Sequence, residues 1–511
     1  MSMLLSAFEK AMSFTRTYTR TENGAVSLST PDPSGISEGR VSLFFKAIRG
    51  IDDTKLYEYL QKSLEEDLID TFIITFNCRD PRGGKGERDI GRKLLKYLFM
   101  HKPVEFSKVF HLIPEYGRWD DLLLLFPKAT IAKTQTHKNV QDEVVKFFCE
   151  KLKEDIRHMH DGKPVSICAK WAPTEGDVED KLYHVVDTIC EHLDITKRMY
   201  RKEYIVPLRS YLQIVEVYMS TNKWDLIQYS KVPSHAMKNL KKAFEKHSPE
   251  AFTAWKESLV KGEVKVNAKV LHPHELIREI RTKGSSDEVT ESQWKVLEDE
   301  AEKLGVLEDV CVVCDTSGSM QMPNHLPLDI SVALGILISK LTKGPFNGHV
   351  ITFEENPRFI KIEYGSLYDR YYQLASIPWG GSTNLQATFD MILERGKIFK
   401  LTNADMPKRL IIISDMQFNY VEGRSTLTNF QEIERKYAES NYTRPQLVFW
   451  NVNGKSEDFP VDVNDNGTCL VSGSSPAILK SIISAKTFTS YAILKEELDS
   501  KRYKKIKDAL M

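Results

Sequence analysis

The chain has 511 residues, of which 71 are Lys or Arg and 71 are Asp or Glu, so its formal net charge is zero. This balance excludes proteins that hold polyanions through bulk positive charge, although a local basic surface stays open. Hydrophobic residues make up 41% of the chain, which excludes wholesale disorder. At the usual size of a domain, we expect about two to four domains.

The cysteine pattern and the apolar stretches indicate the cellular setting. Seven scattered cysteines argue against a disulfide scaffold and favour a reducing compartment. Cys311 and Cys314 form a C-x-x-C pattern in an apolar run typical of a strand, where residues three apart point to opposite faces, so buried thiols are expected rather than a zinc or redox pair. The amino-terminal segment lacks the basic start of a signal peptide, and no apolar stretch approaches the about 20 residues of a membrane span. A monomeric, cytoplasmic protein without a membrane partner is expected.

The predicted elements begin with an extended lead-in over residues 1–40, which is rich in Thr, Ser, Gly and Pro. Residues 41–290 have apolar positions at three- and four-residue spacing, which predicts an array of paired helices without a strict sequence repeat. The expected helices are residues 41–48, 54–68, 90–100, 141–156, 180–193, 207–219 and 235–244. The small, polar segment 281–292 marks the expected end of this domain.

The pattern changes in residues 300–490, where short apolar runs alternate with helical segments and predict a mostly parallel sheet covered on both faces. The expected strands are residues 309–314, 349–353, 358–362, 409–414, 446–452 and 468–471, and the expected helices are 326–341, 367–375, 385–395, 427–440 and 476–484. Residues 491–511 are expected to form a carboxyl-terminal helix. The predicted fold class is multidomain: an all-α array followed by an α/β doubly wound domain.

Three loops of the predicted sheet carry oxygen-bearing side chains, which are Asp315, Ser317, Ser319, Thr383 and Asp415. Because ligands bind outside the carboxyl ends of the strands in such sheets, these residues are expected to meet at one edge. Carboxylates and hydroxyls without His or Cys suit Mg²⁺, or another divalent cation such as Mn²⁺, and argue against zinc. Ser382 and Thr383 are both candidates for the hydroxyl of the second loop, and Thr383 is favoured.

This set resembles the metal-ion-dependent adhesion site of von Willebrand factor A domains, which has D-x-S-x-S, then a Thr in a Gly-rich loop, then an Asp at a strand end. The resemblance implies that Ser317, Ser319 and Thr383 bind the metal directly. It implies that Asp315 and Asp415 act through waters and hydrogen bonds, and that an acidic group of a partner completes the shell.

The D-T-S-G-S loop also has some likeness to aspartyl-phosphate enzymes and aspartic proteases, but their further motifs are missing, so a non-enzymatic protein is predicted.

Two basic regions precede the sheet. Segment 79–89 (R-D-P-R-G-G-K-G-E-R-D) is Gly-rich and leads into a helix, which suits either a phosphate contact or a tight interhelix loop. Residues 195–250 carry eleven Lys and Arg against five Asp and Glu, with aromatic residues interleaved. This composition is typical of single-strand RNA binding, although solvated helix faces share it. The candidate nucleic-acid residues are Arg82, Lys85, Arg88, Lys197, Arg198, Arg201, Lys202, Lys238, Lys241 and Lys242.

A helical array followed by an A domain resembles the TROVE-module proteins of the Ro autoantigen type. The chain is still more similar to a related uncharacterised family found in bacteria, plants and large DNA viruses. The supporting segments are R-D-P-R-G-G-K-G-E (79–87), E-Y-G-R-W-D-D-L (115–122), A-K-W-A-P-T-E-G (169–176), 232–244, 273–276 and the metal-site loops. The resemblance implies a HEAT-like helical ring that binds single-stranded or structured RNA, and virion association if the source is a large DNA virus. The alternative is a protein–protein module whose metal takes an acidic side chain, with no role for RNA.

Overall fold

The computed structural model describes residues 18–20, 26–28, 38–362, 365–376, 384–417, 429–456, 467–485 and 488–511. These residues fall into two compact units that are interleaved along the chain. The sheet unit holds the described residues within Met1–Ile74, Gly83–Glu87 and Ala268–Lys501. The helical unit holds Thr75–Arg82, Arg88–Asn267 and Arg502–Met511.

The strands and α-helices are numbered here in chain order. The strands are β1 Tyr18–Arg20, β2 Val26–Leu28, β3 Leu307–Glu308, β4 Val310–Asp315, β5 Thr342–Lys343, β6 His349–Phe353, β7 Phe359–Lys361, β8 Arg409–Ser414, β9 Gln446–Asn451 and β10 Thr468–Ser472. The helices are α1 Glu38–Lys46, α2 Asp53–Glu66, α3 Leu68–Arg79, α4 Arg88–His101, α5 Pro103–Ser107, α6 Ile113–Tyr116, α7 Gln135–His160, α8 Cys168–Trp171, α9 Val178–Tyr183, α10 Val185–Leu193, α11 Lys197–Met199, α12 Val206–Tyr211, α13 Val215–Ser220, α14 Ser234–His247, α15 Pro249–Val260, α16 Pro273–Lys283, α17 Glu288–Glu302, α18 Leu326–Leu341, α19 Leu367–Ala375, α20 Leu385–Ile398, α21 Asn429–Glu439, α22 Leu479–Ser484, α23 Ser490–Leu498 and α24 Lys504–Leu510.

The sheet unit is built on a six-stranded sheet with the strand order β10-β9-β8-β4-β6-β7. The strands are parallel to their neighbours except for β7, which is antiparallel to β6. The first of these strands, β4, lies inside the sheet, and the chain then adds β6 and β7 on one side and β8, β9 and β10 on the other. This reversal is the doubly wound arrangement, so the α/β prediction is confirmed.

Both faces of the central strands are covered, because every residue of β4 is buried. Cys314 belongs to the hydrophobic core that contains α18, and Cys311 is buried outside that cluster, as expected for residues three apart on a strand. A Cβ built on Gly335 of α18 would stand only 2.2 Å from the sulfur of Cys314. Glycine therefore permits the close approach of this helix to the sheet. Nearly all of α18 is buried, which explains its continuous apolar sequence.

The helical unit contains α4 to α15 and α24, with short 3₁₀ segments between them. Its longest helix, α7, spans 26 residues. Residues Tyr200–Ile205 form a π-helical turn between α11 and α12. The predicted helix 180–193 is divided at His184, which takes a left-handed conformation with φ of 50°, and the predicted helix 207–219 is divided between α12 and α13.

The division into units differs from the predicted boundaries. Residues 41–74 and 268–290, expected in the helical array, lie in the sheet unit. Ion pairs explain part of the assignment of residues 268–290 to the sheet unit, because Arg281 of α16 pairs with Asp329 of α18 at 2.8 Å. Segment 281–292, expected as the boundary, contains the end of α16 and the start of α17.

Two other expectations concern the ends of the chain and the shape of the array. The predicted carboxyl-terminal helix 491–511 is interrupted, because α23 and α24 are separated by a 3₁₀ turn at Lys501–Tyr503. Of the lead-in 1–40, the described part pairs β1 with β2 in antiparallel register. Closure of the helices into a ring stays a prediction. No helix in the described part of the chain is both long and apolar enough to cross a membrane.

Candidate metal centre

Asp315 is the last residue of β4, and its side chain is fully buried at the carboxyl edge of the sheet. Its Oδ1 accepts a hydrogen bond from the backbone N–H of Ser317 at 2.9 Å. Its Oδ2 accepts from the hydroxyl of Ser414, the last residue of β8, at 2.6 Å. Asp315 therefore fixes the loop that follows its own strand and joins two neighbouring strands.

The two serines of the D-x-S-x-S pattern lie side by side after Asp315. The Oγ atoms of Ser317 and Ser319 are 3.1 Å apart, and Ser319 lies in a short 3₁₀ helix that begins at Gly318. Ser317 is buried whereas Ser319 is exposed. The pair therefore places one buried and one exposed hydroxyl next to the buried carboxylate.

Asp415 follows β8 and is also buried. Its Oδ1 accepts from the backbone N–H of Gln417 at 3.3 Å. Burial, and secondly the negative charge of Asp415, raise the pKa of Asp315 to about 7, although its bonds with Ser414 and Ser317 act in the opposite direction. The two carboxylates are thus close enough to repel each other.

The donor set fits a hard divalent cation. Among the described residues, Asp315 has no ion pair with a basic side chain, so its partners are hydroxyl and amide groups only. A cation would neutralise the two buried carboxylates, and the neighbouring hydroxyls are ligands of the kind that Mg²⁺ accepts together with waters. No group of three or more His, Cys, Asp or Glu in the described ranges could hold a metal. Binding here would therefore depend on the serine oxygens.

The second predicted loop, residues 380–383 with Thr383, lies outside the described residues. Asn384, which follows it, caps α20 by accepting from the N–H of Ala387 at 2.9 Å. The structure thus brings together four of the five predicted metal residues, and the place of Thr383 stays a prediction.

A buried polar row extends the site along the sheet edge, and sequence reasoning missed most of it. Strand register aligns Ser414 with Asn451 and Asn451 with Ser472. These side chains are almost completely buried, and the Nδ2 atom of Asn451 has no hydrogen-bond partner. The available signal was that each of them is the last residue of an apolar strand.

Lys85 lies at the end of this row rather than on the surface. Its ammonium group donates to the hydroxyl of Ser472 at 2.9 Å and also to the carbonyl of Phe44, and its side chain is buried. The predicted phosphate contact of Lys85 is therefore replaced by a structural role within the sheet unit.

Lys241 is also buried, because it shares the apolar face of α14 with Met237 and Phe244. That helical spacing was visible in the sequence.

The other candidate nucleic-acid residues lie at or near the surface, and several already have partners. Arg88 pairs with Asp120 at 3.2 Å, Lys197 pairs with Asp187 at 2.7 Å, and Arg82 donates to the carbonyl of Glu115. Lys238 is half-buried. Among these candidates, the exposed ones that form no ion pair with a described residue are Arg82, Arg198, Arg201, Lys202 and Lys242.

Comparison with known proteins gives two family matches and one full-length relative. Residues 128–307 match a domain of unknown function (DUF2828), and residues 309–510 match another (DUF7788). The chain is 32% identical over 505 residues to the uncharacterized protein L728 of Acanthamoeba polyphaga mimivirus, covering 94% of this chain and 87% of that protein.

A solved structure also aligns with most of this chain. The crystal structure of the Deinococcus radiodurans RO (RSR) protein aligns with 92% of this chain and 87% of its own, at 11% identity and a TM-score of 0.33. This similarity is too low to assign a fold or a role, and the Ro-type and von Willebrand A resemblances stay predictions. The match to the mimivirus protein does establish a family, because it extends over both units at 32% identity. The chain belongs to the family of the mimivirus protein L728.

Proposed function

We propose that this is a non-enzymatic binding protein whose sheet unit binds Mg²⁺ and, through it, an acidic group of a partner protein. The supporting observation is the fully buried carboxylate of Asp315, which faces a second carboxylate and is not ion-paired to any basic side chain in the described ranges. Burial of such a charge is costly unless a cation compensates it. Because Ser319 is exposed, a cation held by its hydroxyl would lie within reach of a partner.

The chain's own residues would divide the work. Asp315 and Asp415 would supply negative charge, while Ser317 and Ser319 would supply neutral hydroxyl oxygens, with Ser319 on the exposed side. The cation, when bound, supplies an open coordination position that a carboxylate can fill. The fixed bonds from Ser414 and from the Ser317 amide hold Asp315 in one orientation before any ligand arrives.

The test compares the melting temperature with EDTA and with millimolar Mg²⁺ or Mn²⁺ for the wild type and Asp315→Asn. The wild type should gain stability with the cation, because a ligand that binds only the native state stabilises it by mass action. Asp315→Asn should lose this gain and be at least as stable as the wild type in EDTA, because it removes a repelled charge. The control Asp142→Asn, at an exposed site on α7, should behave as wild type. A wild-type protein that does not respond to either cation would refute the metal site.

Single-stranded RNA binding by the helical unit is a second candidate, and it is favoured by the exposed Arg198, Arg201 and Lys202. None of the three forms an ion pair within the described ranges, so they can contact phosphates without breaking an existing bond. Replacing all three by Gln should weaken binding to a labelled single-stranded RNA and flatten its salt dependence. EDTA should leave this binding unchanged, which separates it from the metal-dependent activity. Absence of RNA binding by the wild type at low salt would refute this candidate.

A further inference from the structure

A cavity of about 320 Å³ lies in the helical unit, outside every site described above. Its lining comprises Glu150, Lys153, Ile156, Arg157 and Tyr204. The first four belong to α7, and Glu150, Lys153 and Arg157 share one face because they are three and four residues apart. Tyr204 comes from the π-helical turn Tyr200–Ile205. The volume lies near the lower limit of small-molecule sites, about 300 Å³, so the cavity suits a single small ring.

The π-helical turn holds Tyr204 in place from both sides. Tyr200 is buried and its hydroxyl donates to the carbonyl of Pro173 at 3.0 Å, and Ile205 is buried as well. Between these two anchors, Tyr204 is only half-buried. Its ring and hydroxyl make no ring contact and no hydrogen bond with any residue that the structure describes. π-Helical turns are rare in proteins, and those that occur are often located at functional sites.

The charged groups around Tyr204 provide both a cation and a polar pair. Lys153 donates to the carboxylate of Glu150 at 3.0 Å, so this pair is internally neutral. Arg157 is exposed and has no ion pair within the described ranges. The exposed Arg198, Arg201 and Lys202 lie on the helical stretch that also carries Tyr204. The cavity thus combines an aromatic wall, the apolar surface of Ile156, the neutral pair of Lys153 with Glu150 and the exposed guanidinium of Arg157.

We propose that this cavity receives one unstacked base of a single-stranded RNA, and this site rests on the RNA-binding candidate above. The base stacks against Tyr204 and contacts Ile156, since stacking on aromatic rings is the usual way in which unpaired bases are held. Its phosphate pairs with Arg157, while the carboxylate of Glu150 accepts from a base N–H. A duplex is excluded from the cavity because its bases are stacked and paired.

The experiment is fluorescence anisotropy with a labelled single-stranded RNA of mixed sequence at low salt. Tyr204→Ala should weaken binding by about 5- to 150-fold, which corresponds to the usual loss of one base stack. Tyr204→Phe keeps the ring and should bind as wild type, which separates stacking from a loss of folding. Arg157→Gln should weaken binding and reduce the salt slope by about one. Tyr372→Ala, at a tyrosine that is 58% exposed in the sheet unit, is the matched control.

The outcomes separate the cavity from the broader candidate. If the wild type binds the RNA and Tyr204→Ala binds equally well, the cavity proposal is wrong while RNA binding stands. If the wild type does not bind at low salt, both fail. Two competitors identify the ligand: single-stranded DNA of the same sequence should compete through its bases, and polyphosphate of equal charge should compete poorly. Equal competition by polyphosphate would mean that charge alone holds the RNA, which would also overturn the proposal.

Discussion

The hydroxyl of Ser414 donates to Oδ2 of Asp315 over 2.6 Å, which ties the ends of β8 and β4 together beneath the candidate metal centre. The same hydroxyl accepts from the backbone N–H of Met416 at 3.1 Å. One small side chain therefore fixes both the carboxylate and the loop that carries Asp415.

Replacing Ser414 by Ala should impair both stability and metal binding. The change removes a donor from a buried carboxylate, which usually costs about 1–3 kcal/mol of unfolding free energy. Urea denaturation measures this cost, and the gain in melting temperature with Mg²⁺ should shrink because Asp315 loses its fixed orientation. Ser339→Ala is the matched control, because that buried hydroxyl donates only to the carbonyl of Ile336. An unchanged response to Mg²⁺ in Ser414→Ala would contradict the positioning role.

Replacing Gly335 by Ala should destabilise the sheet unit. The new methyl group would stand 2.2 Å from the sulfur of Cys314, so either α18 or the cysteine has to move. Overpacking of this kind costs about 1–3 kcal/mol. The double variant Gly335→Ala/Cys314→Ala should recover part of the loss, as measured in a double-mutant cycle. Gly318→Ala, where no atom lies within 4 Å of the new methyl group, serves as a control for stability.

The buried His274 should make the protein less stable in mild acid. Burial, followed by the charges of His272 and Arg49, lowers its pKa well below 6.5. Below about pH 6.5 this histidine binds a proton in the unfolded chain but not in the native state, so the free energy of unfolding falls as the pH drops through that value. One such histidine accounts for about 1.4 kcal/mol between about pH 7.5 and 5.5. Urea denaturation at both pH values should show a smaller difference for His274→Gln, and equal differences would contradict the assignment.

The pair of Arg502 and Asp80 should stabilise the helical unit. Arg502 donates to Oδ1 of Asp80 at 2.7 Å, and the carboxylate is completely buried. Arg502→Ala should cost about 3 kcal/mol, because it leaves that charge without its cation. Adding Asp80→Asn should restore part of the stability, since the uncompensated charge is then gone. Strictly additive losses in this cycle would show that the two residues are not coupled.

The sheet was predictable because its signals are local. Apolar runs placed β6 and β8 at their observed bounds, and α18 was predicted correctly because a long apolar segment bounded by polar residues admits few alternatives. The division into units was not predictable, since it depends on pairs such as Arg281 with Asp329, which lie 48 residues apart. No local pattern reports such a contact.

The candidate site shows the same limit. D-x-S-x-S is a contiguous pattern, so Asp315, Ser317 and Ser319 could be found by inspection. Asn451 and Ser472 join the row only through strand register, which the fold sets. The buried position of Lys85 was hidden because a lysine in a Gly-rich turn has the composition of a solvated loop.

The bond between Asp80 and Arg502 in the helical unit connects positions 422 residues apart. In the sheet unit, Arg40 contacts both Asp70, which is 30 residues away, and the hydroxyl of Tyr491, which is 451 residues away. A ribosome makes the chain from the amino terminus. Each unit therefore contains a contact that forms only after residues 451 or 422 positions further along the chain have been made. Until those residues are made, Arg40 of α1 and Asp80, which follows α3, lack these partners. A chain cut short before them would leave a contact unmade in each unit.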